Sequence, residues 1–84
     1  MEYERGPFSI KSRPVPDDTV DRWSAYPIDS QIHREQKLPC LVSKSQEKIN
    51  QMVDFVLELP IEERPDGSDA AAWNKLLEER GIIP

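Results

Sequence analysis

Ser43-Lys44-Ser45-Gln46-Glu47-Lys48-Ile49-Asn50-Gln51-Met52-Val53-Asp54-Phe55-Val56-Leu57-Glu58-Leu59, followed after a proline-rich corner by Asp69-Ala70-Ala71-Ala72-Trp73-Asn74-Lys75-Leu76-Leu77-Glu78-Glu79-Arg80, is the stretch that organises this chain. Ser43 with Gln46 three residues on has the form of a capping box, in which the serine oxygen takes a free amide of the first turn. Ile49, Met52, Val53 and Val56 recur at i, i+3, i+4 and i+7, one face of a helix, and Phe55 and Leu59 widen that stripe. The polar Lys48, Gln51, Asp54 and Glu58 fall mostly elsewhere around the cylinder. The spacing predicts a helix over 44–59.

Pro60 ends it, because proline lacks an N–H and pushes the residue before it out of the helical region. Proline is suited to the first position of a new turn, and Glu62 and Glu63 then sit at its positive end. Residues 60–64 therefore read as a short turn at an angle to the first helix. Arg64-Pro65-Asp66-Gly67 has proline second and glycine fourth, the preference of a type I turn. Ser68 or Asp69 can cap a second helix over 69–80, where three alanines favour helix and Trp73, Leu76 and Leu77 make an apolar patch. Gly81 is its expected left-handed stop.

Eighty-four residues make one domain at most, near the size where a single core is barely sufficient. The apolar share is 37% and the charged share 32%, low and high for a globular chain. The net charge is −5, and the acidic excess falls on the second half. No basic run marks a stand-alone nucleic-acid binder, and no apolar run is long enough to span a bilayer. One cysteine makes no internal disulfide, and a secretory signal pattern is missing, so the setting expected is cytoplasmic.

Of the eight prolines, five precede Ser43. Phe8-Ser9-Ile10-Lys11 alternates as a short extended segment, held to a sheet edge at best by Pro7, Pro14 and Pro16. Residues 17–24 fit about two helical turns, with Asp17 as cap and Val20 and Trp23 on one side. Asp29 can cap another short helix, and Leu38 to Val42 is apolar enough to pack. The fold expected is mainly α: a helical hairpin of about 44–59 and 69–80, covered by an irregular proline-rich arm over 1–42, together one small domain.

The chemistry-bearing residues are sparse. Cys40 and His33 are the only soft metal ligands, without the paired spacing of a zinc site, so no metal is expected. Three scattered glycines make no phosphate cradle, and no cofactor is expected. A Cys40/His33 pair would be the nucleophile and base of a small enzyme, and a buried small hydrophobe is the plainer role for the cysteine. Glu62-Glu63 suits a helix start. Glu78-Glu79 sits badly at a helix end, which a basic partner surface would remedy.

Arg22, Trp23 and Tyr26 belong to the types enriched at binding hot spots, and with Glu78 and Glu79 they are the candidate partner-binding residues. The function expected is non-catalytic: a small acidic adaptor, inhibitor or accessory subunit that binds another protein. A homodimer through Ile49, Met52, Val53, Phe55 and Val56 is a further expectation; nucleic acid and membrane are not expected partners. Leu59-Pro60-Ile61-Glu62-Glu63-Arg64 resembles the Leu-Pro-x-Glu-Glu-Arg turn between helices in some small bacterial addiction-module proteins. That six-residue resemblance implies an antitoxin-like regulator, although the N-terminal half has no ribbon-helix-helix pattern.

Overall fold

The structure is a computed structural model that describes residues 1–17 and 20–83. It is a small α+β domain, not a mainly α hairpin with an irregular arm. Strands β1 (Glu2–Arg5), β2 (Phe8–Arg13), β3 (Arg22–Pro27) and β4 (Leu41–Ser43) form one antiparallel sheet in the order β1-β2-β3-β4. Helix α1 (Ser30–Glu35) lies between β3 and β4, and α2 (Gln46–Glu58), a 3-10 turn (Ile61–Glu63) and α3 (Ala70–Glu79) follow.

The expectation of an arm fails because the prolines flank the strands. Pro7 and Pro14 lie just outside β2, Pro27 closes β3, and Pro39 precedes β4. None removes a ladder hydrogen bond from a strand interior, which is the position proline is barred from. Strand β2 is therefore central, paired on both sides. Arg5 and Phe8 face each other across Gly6-Pro7, with Gly6 at φ +57°. Glycine first and proline's fixed φ second is the pattern of a type II′ turn, whose twist suits a two-residue hairpin. The helical turns expected over 17–24 are also overturned where described, since residues 22–24 begin β3; residues 18 and 19 lie outside the described residues.

Alternation decides which side of the sheet is core. Tyr3, Phe8, Ile10, Trp23, Ala25 and Leu41 share one face by register. Phe8, Ile10, Ala25 and Leu41 are buried there with Leu38, Ile49, Met52, Val53, Phe55, Val56, Trp73 and Leu77. The stripe of α2 thus packs into the chain's own core. It offers no surface for a two-copy interface in the folded protein. Two polar links tie β1 to α2: Tyr3 Oη donates to Asn50 Oδ1 at 2.6 Å, and Arg5 makes a two-pronged bond to Asp54 at 2.8 Å on both oxygens. That hydrogen bond holds the Asp54 carboxyl below the usual carboxylate range, partly opposed by desolvation.

The helices match their sequence signals with local corrections. Ser45, not Ser43, caps α2, its Oγ accepting from Lys48 N–H at 3.2 Å, while Ser43 Oγ accepts from Ser45 N–H. Leu59 is extended before Pro60, as a residue preceding proline should be. The hydrogen-bonded turn falls at Asp66–Asp69, two residues beyond the expected one. Asp69 caps α3. The Ile82 N–H to Leu77 O and Gly81 N–H to Glu78 O bonds then close it as a Schellman motif.

Candidate partner-binding surface

The face of the sheet away from α2 is made by the other half of each strand. Register places Glu2, Lys11, Ser24 and Val42 in one row, Glu4, Ser9 and Tyr26 in a second, and Arg13 opposite Arg22 in a third. None of these side chains belongs to the buried core, and Val42 is 57% exposed. Lys11 Nζ stands 3.5 Å from Glu2 Oε1 and 6.0 Å from the Tyr26 ring centre. The cation thus lies over the half-buried tyrosine ring. Behind this polar face lies the packed core, so its side chains project from a stiff base.

The expected partner-binding residues separate into three places. Arg22 and Tyr26 share the open face. Trp23, between them in sequence, points to the other face, where it is half-buried and its ring stands 6.4 Å from Tyr3 at 60°. Glu78 and Glu79 are exposed on α3. Arg80 does not offset them, because it turns to Glu58 at 3.0 Å and lies over the Phe55 ring at 5.4 Å. Lys11 and Arg13 were missed. Their signal was the polar half of the Phe8–Arg13 alternation.

His33 and Cys40 are engaged differently. His33 Nδ1 lies 2.6 Å from Leu38 O, so Nδ1 carries the proton and the carbonyl accepts. Cys40 is exposed and borders a cleft of about 210 Å³ between β4 and α3, lined also by Leu41, Val42, Met52, Asn74, Leu77 and Ile83. No hydrogen bond joins the two among the described residues. Nor does any group of three or more His, Cys, Asp or Glu side chains there have the arrangement to hold a metal ion. A second, shallower cleft of about 360 Å³ lies between α2 and the end of α3, lined by Gln51, Asp54, Phe55, Glu58, Arg80, Gly81 and Ile82.

No helix of the described residues is long and apolar enough to cross a membrane. No family model matches the chain, and neither a curated protein nor a solved structure matches it at a significant level.

Proposed function

We propose that this protein is a non-catalytic interaction module, an adaptor, inhibitor or accessory subunit, that docks another protein on the open face of its sheet. The observation carrying this reading is that Arg22, exposed, and Tyr26, half-buried, lie on the same open face of the sheet, which is backed by the core. Tyrosine and arginine on a stiff base lose little freedom on binding and dominate many interfaces. Four strands at ordinary spacing present a face of roughly 15 Å by 17 Å, less than the ~800 Å² each partner buries in a standard interface. A lasting partner must therefore also cover the rim, where Val42 stands exposed. The expected cytoplasmic setting belongs to this reading and rests on the single, unpaired Cys40.

The antitoxin-like reading rests on six residues alone. One of them, Arg64, is bonded within the chain to Leu59 O and Gln36 O.

The test is affinity capture with the tagged full-length chain from its host, followed by binding of the purified captured protein to variants. Tyr26→Ala and Arg22→Ala should each weaken that binding by more than ~1 kcal/mol without loss of helix or strand content. Full retention of binding in both variants would remove the open face from consideration. Rapid alkylation of Cys40 at neutral pH would instead favour a thiolate enzyme.

A further inference from the structure

We infer that the corner of the open face formed by Lys11, Arg13 and Arg22 is the seat for an acidic segment of the partner protein, a deepening that rests on the docking reading above. Arg13 and Arg22 are direct cross-strand partners on β2 and β3, and both are exposed. Side chains so opposed start about 5 Å apart, and like charges there are destabilising. Among the described residues neither arginine forms an ion pair, whereas Lys11 two residues away is held by Glu2 and Arg5 by Asp54. Two arginines without an ion pair thus stand opposed beside the Lys11–Glu2 pair at one corner of a chain whose net charge is −5. Their mutual repulsion is relieved by an anion placed between them.

The arginine fork fits planar carboxylates through two parallel hydrogen bonds, so two adjacent arginines can take successive acidic side chains. Glu4, in the row of Ser9 and Tyr26 toward the other end of the strands, fixes polarity, since an acidic segment running on past the basic corner would meet it. This selects a short acidic stretch over a long polyanion. A nucleic acid would need a continuing basic track and stacking aromatics, and Tyr26 is the one aromatic on this face among the described residues.

The test titrates fluorescein-labelled oligo-glutamate, oligo-glutamine, oligo-lysine and a single-stranded oligonucleotide of matched charge against the full chain by fluorescence anisotropy. Oligo-glutamate should bind and oligo-glutamine should not. The Arg13→Ala/Arg22→Ala double variant should weaken oligo-glutamate binding at least about tenfold, as loss of a charge pair does, with a melting temperature equal or higher. Arg13→Glu/Arg22→Glu should turn the preference to oligo-lysine. The proposal is overturned if oligo-glutamate does not bind, if the double alanine variant binds it unchanged or melts lower, or if the oligonucleotide binds more tightly. The captured partner separates the two readings: binding lost with Tyr26→Ala but kept with Arg13→Ala/Arg22→Ala leaves the docking face standing and removes the acidic segment. Binding kept by both removes the docking face as well.

Discussion

Arg64, in the corner after α2, donates from Nη1 to the carbonyl of Gln36 at 2.7 Å, joining a turn of the second half to the end of α1 in the first. Its Nε–H also donates to Leu59 O at 3.0 Å, and the side chain is buried, which pushes its pKa down from the ordinary value. A buried cation held only by carbonyls costs desolvation that the two bonds offset, so its removal leaves two acceptors unpaired. Arg64→Ala should destabilise by about 1–3 kcal/mol in urea unfolding. Arg64→Lys should recover only part of that, since an ammonium lacks the fork that reaches both carbonyls. Equal stability of Arg64→Ala and the parent chain would mean that the two halves are not joined here.

Val56 is fully buried, and Asp54 two residues away is half-exposed beside Arg5. Val56→Asp should cost several kcal/mol, on the order of other unpaired buried charges. Asp54→Ala should cost no more than about 1 kcal/mol, the range of surface ion pairs. Thermal melts of the two variants should therefore differ widely, and matching melting temperatures would count against the core as described.

The same aspartate gives a pH dependence with a definite sign. Arg5 lowers the folded-state pKa of Asp54, so this group contributes stability above the unfolded carboxylate value and loses it as pH falls through the folded one. The gap in melting temperature between the parent and Asp54→Asn should hold from neutrality down to the ordinary aspartate value, about 3.9, and close below it. A gap that widens on acidification would contradict the pairing.

Gly67 is required by proximity. A Cβ built there would lie 2.5 Å from Leu38 O and 2.8 Å from His33 Cε1. Gly67→Ala should cost roughly 1–3 kcal/mol through overpacking, and the His33 ring signals should shift in the NMR spectrum because its bond to Leu38 O is disturbed. An alanine variant as stable as the parent, with an unmoved imidazole, would place the 66–69 turn elsewhere.

The second half was legible and the first was not, for reasons visible in particular residues. Helices α2 and α3 advertise themselves through long periodic stripes and breakers at Pro60 and Gly81. Strand β1 reads Glu-Tyr-Glu-Arg, with Tyr3 as its one apolar residue, because charges on an edge strand discourage unwanted pairing. Strand β3 fully buries only Ala25, which has little β propensity, while Val20 and Trp23 at helical spacing suggest a helix that does not form. Arg22 and Tyr26 could be named from composition as candidate anchors. Their company with Lys11 and Arg13 depends on cross-strand register, which a single chain of letters does not display.

The open face exists only where the first half of the chain is a sheet in the free protein. Amide hydrogen exchange at Ile10 and Ala25 tests that most directly, since each lies in a strand with neighbours on both sides. Their amides should be protected to a degree comparable with Val53 and Val56 in α2, because strand and helix share one core and open together. Exchange at Ile10 and Ala25 near the rate of an unstructured chain, with Val53 and Val56 still protected, would contradict the account: the first half would then be a loose arm over two helices, with no sheet face to bind anything.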